Sequence, residues 1–307
     1  MHPALKTVKS ITNNTIFGLI LILFSKAGHL PIQENKAADV IRRQMKLATV
    51  MELLYANNNM INKGIFNTLQ TTKNNRCLKS SELKNITFSN KIALLFADDL
   101  LRHALTQLAD LKNQDIFCLM MSAMADFCQI GFIGRKDKQG FPIPPIPLKD
   151  RTDYAVTEWT LLNIHVGSLF AKSCQSTLKI AGHNKEMEEN GFEFGKHLAL
   201  AWQALSDLRL CINKDKEILQ NLCAAPIMFH VEHDPSILIE LEKGLESVEN
   251  VDYLKVLEIV AAGPGIGLTK TLVREHSQKA KKILGCFKES NTREALFDII
   301  AAINNFE

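Results

Sequence analysis

SNKIALLFADDLLRHAL, residues 89–105, repeats its apolar residues at the period of a helix. Ala93, Leu94, Ala97, Leu101, Ala104, Leu105 and Leu108 recur at i, i+3 and i+4, which predicts a helix over 90–111 with one apolar face. Two adjacent carboxylates, Asp98 and Asp99, interrupt the run. On a helix they point about 100° apart, and the positions that could complete a ligand set one turn on hold Arg102 and His103. By pattern alone they are a solvated or structural pair.

The same period extends outward. Val40, Ile41, Met45, Ala48, Met51, Leu54 and Tyr55 place a helix over 34–63. A third, over 115–132, is apolar nearly all round, which predicts burial on most sides. The pattern then breaks at GRKDKQG and FPIPPIPLKD, whose prolines cannot continue a helix. Residues 131–154 are therefore read as a surface loop. Helical patterns resume over 157–181, 188–213, 235–245, 251–262, 268–287 and 292–304, and strand alternation is nearly absent. The reading is a single all-α domain over 1–307.

Composition is that of a globular chain: 46% hydrophobic, 22% charged, and a net charge of +3. No Arg/Lys stripe is interleaved with aromatics along the sequence, so no nucleic-acid partner is expected. Seven cysteines without a CxxC pair read as free thiols. Residues 1–33 lack acids and carry the apolar run Ile16–Phe24, too short to span a bilayer, where about 20 apolar residues are needed. It is read first as a buried core helix, with a secretory signal or organelle presequence as the alternative. No transmembrane segment is expected.

Two further motifs carry little. AAGPGIGLTKT, 261–271, lacks the spacing of a phosphate loop and no strand precedes it, so Gly and Pro there mark a helix start. FHVEHDP brings His230 and His233 three apart without a third ligand, which reads as a solvated helix end.

Three segments, in order, resemble the trans-polyprenyl diphosphate synthases. SNKIALLFADDLLRHAL is similar to that family's GNKxAxLxGDxLL helix, matching at Asn90, Lys91, Ala93, Leu95, Asp98, Leu100 and Leu101. HVGSLFAKSCQSTLKIAG, 165–182, resembles KTASLxxxSCxxGAxxxG, and FEFGKHLALAWQALSDL, 192–208, resembles FGxxLGxAFQIxDD at Phe194, Gly195, Leu198, Ala201, Gln203 and Asp207. The resemblance implies an isoprenoid-synthase-type helical bundle around a central cavity. It also implies a chemistry in which two DDxxD motifs hold Mg²⁺ on the leaving diphosphate, since Mg²⁺ demands hard oxygen ligands and i, i+4 carboxylates share a helix face.

This chain departs at each of those places. Lys63, Gly64 and Asn67 align with the first DDxxD, and YANNNMINKGIFN holds no acid. Ser206, Asp207 and Leu210 align with the second. The diphosphate-binding positions align with Asn14, Phe17 and His165. The implied role is that of the non-catalytic subunit of a heteromeric decaprenyl-type synthase of the ubiquinone pathway, in the mitochondrial matrix. It would pair as a hetero-oligomer with a catalytic polyprenyl diphosphate synthase subunit 1, which binds the Mg²⁺; this chain would bind no cofactor and no metal and would be inactive alone. The expected subunit interface is Leu94, Leu101, Leu105, Leu119, Met120 and Phe127, where a charge such as Leu101→Asp or Met120→Lys should abolish activity of the complex. Asp207→Ala should leave it nearly intact. Two other readings stay open: a divergent enzyme using Asp207 for metal-dependent prenyl chemistry, and a helical adaptor unrelated to prenyl transfer.

Overall fold

Helical period predicts which side of each segment the core takes, and the computed structural model, which describes residues 16–28, 34–64, 80–130, 132–138, 140–147 and 153–306, is built almost wholly of helices. They are α1 (Ile16–Ala27), α2 (Glu34–Gly64), α3 (Ser80–Ala109), α4 (Gln114–Ile130), α5 (Tyr154–Ala181), α6 (Lys185–Ile212), α7 (Ala225–His233), α8 (Leu238–Leu241), α9 (Tyr253–Ala262), α10 (Gly265–Leu284) and α11 (Asn291–Ile303), with short 3₁₀ turns between α6 and α9. The described residues fall into two compact units. One comprises residues up to Met124 with Lys172–Glu189, the other Ala125–Ala171 with Asn190 onward.

In the first unit α2 packs along α3. Met60 of α2 meets Ala93 and Ala97 of α3, whose small side chains let the helices approach, and Asn57 donates its Nδ2–H to the Ala97 carbonyl at 2.7 Å. The segment α1 is a core helix, as its apolar run implies: Ile20, Leu21 and Phe24 are fully buried. Gly18 lets α1 pack closely on α2, where a Cβ would push the Glu52 side chain aside. Gln44 reaches from α2 to the Thr177 carbonyl at the end of α5.

In the second unit α7 packs on α10, and α10 on α11. Trp159 and Phe194 are its largest fully buried side chains. The helices α5 and α6 approach so closely that a Cβ on Gly195 would lie 2.7 Å from Ala171 Cα.

Several expectations need correcting. Residues 131–154 are more than a surface loop: β1 (Arg135–Lys136) and β2 (Pro142–Ile143) form an antiparallel hairpin. Ile143 is fully buried, and Asp137 is buried with its carboxylate accepting from the Phe141 and Val248 amides. A short segment with prolines gives no periodic signal of such anchoring. The helix α7 had no counterpart in the pattern, because Ala225–Val231 are buried on every side and leave no polar face to mark a period. The segment over 235–245 is a series of short turns around α8 rather than one helix. Finally, α4 buries one stripe only, Ile116, Met120, Ala123 and Phe127, while Phe117, Cys118 and Cys128 are exposed.

Candidate functional site

The second degraded motif lies on α6, and its helical geometry decides its chemistry. Ser206 and Leu210, at i and i+4, share one face; Ser206 is exposed and Leu210 half-buried. Neither supplies a carboxylate. Asp207, one residue on, is turned away from that face and is fully buried.

Four N–H donors converge on Asp207. Gln203 Nε2 and Asn221 Nδ2 donate to Oδ1 at 2.9 and 3.1 Å. Trp159 Nε1 and the Ala225 amide donate to Oδ2 at 2.8 and 3.0 Å. An ionised carboxylate offers about four acceptor sites, and all are used. The Ala225 bond has a structural task. Ala225 is the first residue of α7, whose N-cap residue Ala224 makes no side-chain cap bond, so Asp207 caps that helix from α6. Burial pushes the Asp207 carboxyl up to about 6, against the opposing pull of the four donors. Trp159 and Asn221 were missed in the sequence; the available signal was a tryptophan inside a buried helical pattern, whose N–H must find an acceptor.

The other aligned positions are spread over α1, α2 and α5. Phe17 lies on α1, half-buried, its ring 6.0 Å from that of Tyr55. Lys63 and Gly64 end α2 and His165 lies on α5, their side chains outside the described set. Asn14 and Asn67 lie outside the described residues. Asp98 and Asp99 are exposed, and Asp99 pairs with Arg102 at 2.8 Å. His230 is buried rather than solvated, its ring against Gly263, where a Cβ would meet Nδ1 at 2.3 Å. Among the described residues no group of three His, Cys, Asp or Glu could hold a metal ion. A hard divalent cation needs several oxygen ligands on an accessible face, and Ser206, a captured Asp207 and Leu210 do not meet that need. These three residues of the second motif do not fit Mg²⁺.

A second buried polar cluster joins α6 to α10. His197 Nδ1 and His276 Nδ1 are 2.9 Å apart, so one ring donates and the other must keep a lone pair. Glu193, Lys196 and Lys279 surround the pair. Burial holds His276 down to about 3 and lowers His197 as well. An unfolded histidine takes up its proton below about 6.5 while the folded pair refuses it, so this stability is complete above that pH and lost as pH falls. Replacing His276 by Asn should remove the penalty. The stability difference between the native protein and that variant, measured by urea unfolding, should shrink by about 1–2 kcal/mol between about pH 7.5 and 5.5.

Comparison with known proteins then fits this geometry into a lineage. No family model matches the chain. Over 327 residues it is 31% identical to the "all trans-polyprenyl-diphosphate synthase PDSS2" of Rattus norvegicus, covering 99% of this chain and 77% of that protein. The chain belongs to the trans-polyprenyl diphosphate synthase family. A second family relative, the "solanesyl-diphosphate synthase 1, mitochondrial" of Oryza sativa subsp. japonica, is 23% identical over 307 residues, covering 91% of this chain and 66% of that protein. Among solved structures, the apo form of an Arabidopsis medium/long-chain length prenyl pyrophosphate synthase shares the fold, with a TM-score of 0.69 at 20% identity over 95% of this chain and 89% of the other. The all-α isoprenoid-synthase-type fold implied by the three sequence segments is thus the fold observed.

Proposed function

We propose that this chain is the non-catalytic subunit of a heteromeric, decaprenyl-type polyprenyl diphosphate synthase that makes the ubiquinone side chain in mitochondria. The relationship to PDSS2 proteins and to a synthase named mitochondrial supports the pathway and the compartment. One observation carries the non-catalytic reading: the one acid left in the second motif is buried and held by four N–H donors, so it is spent on the fold. The same observation weighs against a divergent enzyme working through Asp207, because a carboxylate without a free lone pair cannot take a metal. Family membership weighs against an unrelated adaptor.

The partner is a catalytic subunit with both DDxxD motifs and its own Mg²⁺. The docking face proposed for it is the exposed apolar side of α3 and α4. Leu94 is 45% exposed, and Leu101, Leu105 and Leu119 are half-buried. Met120 and Phe127 are withdrawn from the expected interface, since at 0% and 7% exposure they belong to the chain's own core. Leu95 and Phe117 join it, each more than a third exposed. Apolar side chains so exposed on one helix pair mark an interaction surface.

The test is activity with and without company. Given allylic and homoallylic diphosphates and Mg²⁺, the chain alone should form no polyprenyl diphosphate. Coexpressed with a DDxxD-bearing subunit it should copurify and enable or raise product formation. Product from the chain alone would overturn the reading.

A further inference from the structure

Helix α10 rests on a seat that is only partly apolar. Of the eight residues it buries, Leu272, Val273 and Leu284 are large and apolar, while Thr269, His276 and Ser277 are polar. Ser277 Oγ is enclosed without a hydrogen-bond partner among the described residues. A buried helix face of this kind holds less firmly than one lined by leucines.

A histidine lies in each of two seams of that seat. Against α6, His276 meets His197, Nδ1 to Nδ1 at 2.9 Å. Against α7, the ring of His230 lies under the elbow where α9 turns by 74° into α10. The elbow is flush with α7: a Cβ on Gly263 would meet His230 Nδ1 at 2.3 Å, and one on Gly265 would meet the Pro226 carbonyl at 2.2 Å. His230 is 5% exposed, and neither ring nitrogen has a hydrogen-bond partner among the described residues.

Both seams suit neutral rings only, because a protonated imidazole carries an N–H on each nitrogen. In the pair, a second proton would set N–H against N–H. Lys196 and Lys279 add like charge there, and Glu193, 3.5 Å from His197 Nε2, is already held by Lys196 at 3.0 Å. A charged His230 would bury two donors without an acceptor. The charged groups facing it are Asp234 and His233, at the end of its own helix, and Asp234 accepts from the Ser236 amide. Burying a charge so poorly matched is costly. The C-terminal end of the chain is tied to α10, since Lys270 and Arg274 lie 5.4 and 5.0 Å from the ring centre of Phe306 and Lys281 lies 5.6 Å from that of Phe297 on α11.

We propose that α10 and α11 form an acid-released flap: protonation of His276 and His230 in its two seams frees the pair at the Gly263–Gly265 elbow, while α5 and α6 stay packed. The contacts that join α5 to α6, Gly195 against Ala171 and Trp159 on Asp207, do not involve the flap. Burial holds His276 down to about 3 and lowers His230, whereas a released histidine takes up its proton near 6.5. Opening is therefore favoured as pH falls below about 6.5, by up to about tenfold per histidine at pH 5.5.

Native-state hydrogen exchange of the full chain, read by mass spectrometry and corrected for intrinsic rates, tests it. Between about pH 7.5 and 5.5, amide protection in α10 and α11 should fall about 10- to 100-fold, while that of α6 changes less than about threefold. The double variant H230L/H276N should reduce that fall by about threefold or more. Should the double variant fail to fold, each single variant must still show a smaller fall than the native chain. An equal loss of protection in α6, no loss in α10 and α11, or a fall unchanged in the folded variants would each overturn the proposal.

Discussion

Replacing Asp207 by Ala should destabilise the chain by about 3–5 kcal/mol, the sum of two orphaned buried donors and a lost helix cap. Gln203 and Asn221 are half-buried and can turn to water, but Trp159 Nε1 and the Ala225 amide are enclosed and would lose their acceptor. Each such orphaned donor costs about 1–3 kcal/mol, and α7 loses its cap as well. Asp207→Asn should be nearly as harmful, since its amide would set an N–H against donors. The pH behaviour separates this carboxylate from the histidine pair. Its folded value of about 6 lies above the ordinary carboxylate value, so the folded state holds its proton more tightly. Its contribution is therefore fully present below the unfolded value of about 4 and declines as pH rises to about 6. Urea unfolding followed by circular dichroism measures the loss; an unchanged midpoint for Asp207→Ala would contradict the structural role. The expectation that Asp207→Ala leaves the complex's turnover intact is thereby reversed, for a reason of folding. Adding Mg²⁺ should not rescue the variant, because four N–H donors leave the native carboxylate no lone pair for a metal.

Placing a charge on the exposed side of α3 should act in the opposite way. Leu95→Asp, at a position 56% exposed, should leave the melting temperature of the isolated chain nearly unchanged. On association with the catalytic subunit the carboxylate would be buried unpaired, at about 3–5 kcal/mol, or roughly 10²–10⁴-fold in affinity. Copurification and partner-dependent product formation should both disappear. Met120→Lys is the contrast. Met120 is fully buried and its sulfur accepts from Ser173 Oγ at 3.7 Å, so the charge would enter the chain's own core and lower its melting temperature directly. Size-exclusion chromatography of each variant with the partner, beside a melting curve of the variant alone, separates the two. If Leu95→Asp assembles normally, the partner docks elsewhere.

These two variants mark the boundary between what is local and what is not. The helices over 34–63 and 90–111 are legible because period and helix are set by neighbours three and four residues apart; in the structure α2 spans Glu34–Gly64, while α3, Ser80–Ala109, starts ten residues earlier and ends two sooner than read. The loss of catalytic acids is equally plain from residue types, since nothing a fold does can make a ligand of Leu210 or put an acid into 53–67. Tertiary structure alone decided the rest. Periodicity identifies Leu95 and Met120 alike as apolar, but which of them the chain covers with itself depends on helices packed from elsewhere. In the same way, the retained Asp207 reads in the sequence as a remnant metal ligand. Its fate was decided by Trp159, 48 residues earlier, and by Ala225, 18 residues later, whose N–H groups reach it only once α5, α6 and α7 have packed. A carboxylate's role follows from which donors surround it, and that is a property of contacts between distant parts of the chain.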